Sequence, residues 1–361
     1  MKNYIKPNGE FDHEQYLDDY GKKCHSEVVQ FLNFMKLIVI LATVGFLFIV
    51  ASGCKVIPSA PEVQTETLLF KSIPDTMTAI DVLTTNTWTD PEGFNHIGGL
   101  YPDGLNVPPL NHAQKIQKAN NKLGGTIGFL SLGASNCMYE SQEFANKTFP
   151  PNVKFINGAL GGKTFEKILE NNYWSYVHDQ VTAAGLTTND VQVILFESNS
   201  FNDLIKTATF VEWRDYLADQ MTLIAQRILV EFPRCQIVYC CGTTYSNYFT
   251  EGYNKFEEPW SYYLSWAVKE LIERQISGDP LLKSSGPGKK SPVLAWTNPS
   301  WSDGATDNSF GFDWYLNDVS PAYPGAIENG VHPSITGAQR VADYWYNFFS
   351  TNVYTLNWFG L

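Results

Sequence analysis

CxxC cysteine pairs, basic runs, internal repeats and low-complexity tracts are all absent from this 361-residue sequence. Its six cysteines are scattered at Cys24, Cys54, Cys137, Cys235, Cys240 and Cys241, without the CxxC spacing that marks zinc or redox sites. Cys240 and Cys241 follow "IVY" in an apolar run, where inert buried thiols are expected, and adjacent cysteines do not suit disulfide geometry. Positive charge is scarce: 25 Lys and Arg against 37 Asp and Glu give a formal net charge of -12. With no basic run to concentrate that charge, the composition points away from nucleic acid and other polyanions. The chain is instead rich in apolar residues, 44% hydrophobic and 14% aromatic, which excludes a disordered chain. Its length suffices for one α/β domain of about 250 residues with appended segments.

The longest uncharged apolar run is "LIVILATVGFLFIVA", residues 37 to 51, followed by "SGC". Counted through Gly53, it just suffices to span a bilayer and is also long enough for a signal h-region. Two readings stay open. If translation starts at Met1, residues 1 to 36 remain cytoplasmic and residues 37 to 53 form a signal anchor; Lys22, Lys23 and Lys36 before the run against Lys55 after it lean that way. If it starts at Met35, "MKLIVILATVGFLFIVASGC" resembles a bacterial lipoprotein signal peptide with Cys54 as the lipidated residue, although Ala51 stands where such signals prefer leucine. Either way the remainder is expected outside the cytoplasm, periplasmic or at the cell surface, held at a membrane.

Residues 54 to 125 are rich in Pro, Thr, Asn and Gly and read as a spacer packing on the main domain, with "AQKIQKANNKL" as a short helix. From residue 126 to 361 the pattern alternates. "TIGFLSLG", "VKFING", "VQVILFES", "QIVYCCG" and "PVLAWT" are short apolar runs bounded by turn residues. Between them lie helical stretches, clearest in "TFVEWRDYLADQMTLIAQRILVEF", where Phe210, Trp213, Leu217, Met221, Ile224 and Ile228 recur at three- and four-residue steps. "WSYYLSWAVKELIERQI" and "TGAQRVADYWYNFF" repeat the signal. The expected fold is α/β: a flavodoxin-like three-layer sandwich with a central parallel sheet of about five strands. Ligands bind such sheets at the carboxyl ends of the strands.

Those ends carry chemistry. The first run closes on "LGASNC", which puts Ser135 at a strand-to-helix turn, where a nucleophilic hydroxyl and an oxyanion donor coincide; on its own, a serine there is first of all a helix cap. The second closes on "NGALGGKTF", whose adjacent glycines allow close backbone approach to a ligand. The third closes on "FESNSFNDL", offering Asn199 and Asn202; Asn199 lies where the strand runs out and is preferred as a side-chain amide donor. In "ENGVHPSITG", His332 stands just ahead of the last helix, with Asn329 three residues upstream where an orienting aspartate is usual. Serine, amide, asparagine and histidine on successive strand ends make a complete acyl-transfer constellation.

The four blocks, in this order over roughly residues 126 to 350, resemble those of the SGNH or GDSL hydrolases, α/β enzymes that act mostly on esters. "GGLYPDGLNVPPLNHA", Gly98 to Ala113, also resembles a stretch upstream of the first block in a branch of secreted bacterial members. The resemblance implies Ser135 as nucleophile, His332 as base, and Gly162 and Asn199 as oxyanion donors beside the Ser135 amide. It departs at Ala134, which replaces the aspartate of the family name, and at Asn329, which replaces the aspartate of the last block.

The expected function is therefore a serine esterase or acyl hydrolase needing neither metal nor organic cofactor, working as a Ser-His dyad. Asn329, a backbone carbonyl, or a nearby acid such as Glu328 or Asp318 would orient the ring. The substrate expected is a small-molecule or carbohydrate ester, an O-acetyl group on extracellular glycan being one choice, with Trp260, Tyr262, Tyr263, Trp266, Trp296 and Trp301 as sugar-facing aromatics. Two alternatives use the same chain: a membrane-anchored binding or structural protein on a degenerate hydrolase fold, and an acyltransferase on the same site.

Overall fold

The computed structural model describes residues 77–200, 202, 207–246, 248, 258–327 and 330–360. The apolar segment 37–53, Cys54, Glu328 and Asn329 lie outside the described residues. Among those described, no helix is long and apolar enough to cross a membrane.

Ahead of the sheet come α1 (Ile80–Leu83), an antiparallel hairpin of β1 (Thr87–Thr89) and β2 (Asn95–Ile97), and α2 (Leu110–Asn120). This stretch closes the core rather than standing apart from it: Trp88 is 5% exposed and packs edge-on against Phe210 and Tyr262. The helix in this stretch starts at Leu110, three residues before the expected one, because Pro109 fixes an extended approach and sits just outside the first turn.

The main sheet is β3 (Ile127–Gly133), β4 (Val153–Asn157), β5 (Val191–Glu197), β6 (Ile237–Cys240) and β7 (Val293–Trp296). Its order is β4-β3-β5-β6-β7 with every pair parallel, the flavodoxin-like arrangement. Each residue of β3 and β5 is buried, as two-sided cover by helices requires of central parallel strands. Those helices are α3 (Ser135–Phe144), α4 (Phe165–Ile168), α5 (Asn171–Ala183), α6 (Phe210–Glu231), α7 (Trp260–Ser277), α8 (Ile335–Thr351) and α9 (Leu356–Phe359). One face carries α3 packed on α8, with α9 and α2 beside them, joined by the Trp358 indole donating to Asn120 Oδ1 at 2.7 Å. The other carries α6 packed on α7, with α4 and α5.

The six apolar residues that repeat along α6 are all buried, each worth about 1.5–3 kcal/mol on removal from water. A reciprocal Thr209–Glu212 capping box starts that helix. The chain steps from β3 out to β4, then crosses back over β3 to reach β5. The loops leaving β4 and β5 therefore flank whatever leaves β3, and the crevice between diverging crossovers opens at that point.

Candidate active site

Ser135 is the first residue of α3, two residues beyond the carboxyl end of β3. Gly133 makes this turn possible, because a Cβ there would lie 1.8 Å from the carbonyl oxygen of Glu197. Ala134 is extended (φ -91°, ψ -159°) and its amide donates to the same carbonyl at 3.3 Å. The Ser135 hydroxyl thus stands at the sheet edge, and its amide belongs to the helical first turn, whose N–H groups lack intrahelical partners.

The glycine loop after β4 is bound to both neighbours. Leu160 N donates to Gly133 O at 3.0 Å, and the Tyr173 hydroxyl bridges Gly133 N and Gly158 O. Toward β5, Ser198 Oγ donates to Lys163 O at 2.9 Å and Phe165 N to Asn199 O at 2.9 Å. Gly162 sits in this loop with φ +72°, exposed, with open space where a Cβ would point. Asn199 follows the end of β5 by two residues, and its Oδ1 is buried without a hydrogen-bond partner among the described residues. Asn202 is engaged elsewhere: its Nδ2 donates to the Tyr216 hydroxyl at 2.8 Å, which in turn donates to Glu166 at 2.7 Å.

His332 reaches Ser135 across 197 residues of sequence, with Nε2 at 2.9 Å from Oγ. Its Nδ1 makes a long contact, 3.4 Å, to the carbonyl of Ile327. Burial lowers the ring's pKa and the Ile327 carbonyl partly offsets that, so the imidazole is kept neutral, as a base must be. Asp318 does not orient it, contrary to one expectation, because that carboxylate pairs with Arg340 and accepts from Tyr315 N at 2.8 Å. Asp318 serves the loop differently. Its carbonyl accepts from Ser334 N at 2.6 Å. Ser334 then caps α8 by accepting from Gly337 N at 3.0 Å.

Three groups beside the site carry no local sequence signal of their role. Asn136 donates to Thr244 Oγ1 at 2.7 Å and to Val331 O at 3.0 Å, tying the serine turn to the loop after β6 and to the residue before His332. Tyr139 stacks on Tyr323 (centroids 4.7 Å apart, 18°) and meets the His332 ring edge-on, while the Tyr323 hydroxyl donates to Glu143 at 2.8 Å. Beneath the serine helix, Glu140 and Glu197 are buried together, each with one oxygen lacking any other partner. Burial and their mutual repulsion push Glu140 well above the ordinary carboxylate range, and burial raises Glu197 to about 7. Cys137 and Cys241 lie against this pair, and burial drives both thiols well up, the inert state expected of Cys241. Among the described residues, no group of three or more His, Cys, Asp or Glu side chains is arranged to hold a metal.

The sugar-facing aromatics require correction. Tyr262, Tyr263, Trp266, Trp296 and Trp301 are all buried, and Trp260 alone of the six is partly exposed. Large rings at helical spacing gain more from the core than from water.

No family model and no curated protein matches the sequence. Solved structures similar to it include a protein assigned as a GDSL-like lipase from Parabacteroides merdae, at 12% identity over 63% of this chain and 96% of that one, TM-score 0.35. The extracellular lipase of Streptomyces rimosus is 14% identical over 60% of this chain and 98% of its own, TM-score 0.32. The catalytic domain of the Streptococcus pneumoniae peptidoglycan O-acetyltransferase A is 12% identical over 63% and 95%, TM-score 0.31. At such scores the likeness adds nothing to the site's own geometry.

Proposed function

We propose that the chain is a serine esterase of the SGNH type, a carboxylic ester hydrolase, and the observation that carries this is the 2.9 Å approach of His332 Nε2 to Ser135 Oγ at the carboxyl edge of the sheet. His332 takes the Ser135 proton as Oγ attacks the ester carbonyl. The amides of Ser135 and Gly162 and the Asn199 side chain then hold the oxyanion. Collapse expels the alcohol, which receives the proton from His332, and water repeats the sequence on the acyl-enzyme. Nδ1–H donates to the Ile327 carbonyl, so the base is one half of a dyad. The partly exposed Tyr139–Tyr323 stack beside His332 favours a carbohydrate ester, with an acetyl group as the acyl part. Segment 37–53 as a signal anchor, or a lipid on Cys54, would hold this domain at a membrane, outside the cytoplasm.

A fluorophosphonate probe tests the reading. The full chain should be labelled, Ser135→Ala should not, and His332→Ala should lose most labelling, because an unassisted serine is a weak nucleophile. Short-chain aryl esters and acetylated sugars should be hydrolysed by the wild type and spared by Ser135→Ala. Labelling with acetyl transfer to a sugar acceptor in place of hydrolysis assigns an acyltransferase. Equal labelling of wild type and Ser135→Ala, or none in either with every ester intact, sinks the esterase and leaves the binding-protein reading.

A further inference from the structure

At the other end of the sheet from Ser135, where β6 and β7 begin, a cleft of about 450 Å³ opens between α2 and the loop that follows Leu282. Lys115, Lys118, Lys122 and Lys289 line it together with Ser284 and Ser285, and no carboxylate does. Lys115 and Lys118 stand at i and i+3 on one face of α2, and Lys122 follows two residues past its last residue, Asn120. None of these three has an ion-pair partner among the described residues. Lys289 is held half-buried by donating to Cys235 O at 3.1 Å. Burial chiefly, and the charge of Lys122 in addition, lower its pKa.

This is an unusual place for positive charge to collect. Acidic residues outnumber basic ones 37 to 25, so a lysine set at random on this surface meets carboxylates. Solubility does not need four self-repelling ammonium groups around one cleft in a chain already at -12. A bound anion relieves the repulsion. Lysine presents a compact point charge with rotatable donors, suited to phosphate oxygens, and the cleft has none of the arginine forks that grip planar carboxylates. Gly286 and Gly288 take left-handed φ of +75° and +72° in the adjoining loop, a conformation that turns backbone amides toward an anion. Lys115 stands about 8 Å along the helix axis from the end of α2 at Asn120, and Lys122 lies past that end, a spread wider than one phosphate reaches. We propose that this cleft binds a ligand bearing two or more phosphate groups, supplied either as a soluble oligophosphate or as anionic lipid headgroups.

Tripolyphosphate titrated calorimetrically into the full chain is the test, and it does not depend on the catalytic reading. Binding should be saturable, weaken as salt rises, and exceed that of inorganic phosphate. Lys118→Glu/Lys122→Glu, both exposed, should keep the native circular dichroism and weaken binding by about tenfold or more. Lys154→Glu/Lys167→Glu, the same charge change elsewhere, should leave it within about twofold. Phosphatidylglycerol vesicles that displace tripolyphosphate assign the headgroup as the source; failure to displace assigns a soluble ligand. No heat with tripolyphosphate at low salt overturns the proposal, and so does equal weakening by the two variants, which would report net charge alone.

Discussion

Among the described residues, Ser135 Oγ meets His332 at Nε2 and the Ile327 carbonyl meets it at Nδ1, and that sets its acid-base behaviour. Burial favours the neutral ring and lowers its pKa. The base is active when neutral, so the acid limb of kcat/KM should fall below about 6.5, the ordinary histidine value. A limb above that value would show a carboxylate on the ring. Asn329→Asp tests for one: a carboxylate that reaches the ring stabilises the imidazolium, so turnover should rise and the limb move up. At the oxyanion, Asn199→Ala should lower kcat by about 10² to 10³. Asn202→Ala, whose amide is spent on Tyr216, should stay within a few-fold; the reverse pattern would move the oxyanion hole to Asn202. The positions of Ser135 and His332 were legible because each follows a local strand or turn signal. Their 2.9 Å meeting was legible only through the fold, since no local pattern spans 197 residues.

The elements were legible wherever burial imposes a period. The α6 stripe and the buried strands β3 and β5 follow from apolar spacing, whereas the β4-β3-β5 neighbourhood shows only in the fold. What the period cannot encode is which surface residue joins two elements. Asn136 joins α3 to residues 108 and 195 positions away, and nothing beside it in sequence marks those partners. Asn136→Ala should therefore lower kcat more than it raises KM, because the His332 loop loses its tie to the serine turn while the open cleft stays. It should also cost about 1–3 kcal/mol for leaving the Val331 carbonyl without that donor. The same logic governs Gly337 at the start of α8, where a Cβ would lie 2.1 Å from the Asp318 carbonyl oxygen. Gly337→Ala should lower the melting temperature and slow fluorophosphonate labelling together, since the helix must back away and carry His332 with it. A large fall in melting temperature with unchanged labelling would separate the loop from the helix start. Of the five aromatics that went to the core instead of facing a sugar, three did so for an element-level reason: α7 packs on α6, and its Tyr262, Tyr263 and Trp266 fill that seam beside Trp88.

At the scale of the molecule, the formal charge of -12 hides two opposite arrangements: lysines gathered at one end of the sheet and carboxyls sunk near the other. The buried pair Glu140 and Glu197 makes stability depend on pH in a direction that can be worked out. In the folded chain Glu197 holds its proton to about 7, and burial and repulsion push Glu140 well above the ordinary carboxylate range, whereas unfolded glutamates release theirs near 4.3. Between roughly pH 4.3 and 7 the native state therefore binds more protons than the unfolded state, and stability falls as pH rises. Other groups act on the same curve. Asp81, raised by burial to about 6, adds to the fall, and His332, lowered by burial, opposes it; both contribute equally to wild type and variant and cancel in the difference. Glu197→Gln keeps a neutral donor and acceptor beside Glu140 and removes one of the two acids competing for a proton. Melting temperatures of the two proteins should nearly coincide at pH 4.5 and diverge as pH rises, the variant being the more stable at pH 8. Parallel curves would mean that Glu197 titrates alike in the folded and unfolded chain. A variant that loses stability at every pH would mean that the glutamine amide does not fit the place of the protonated carboxyl.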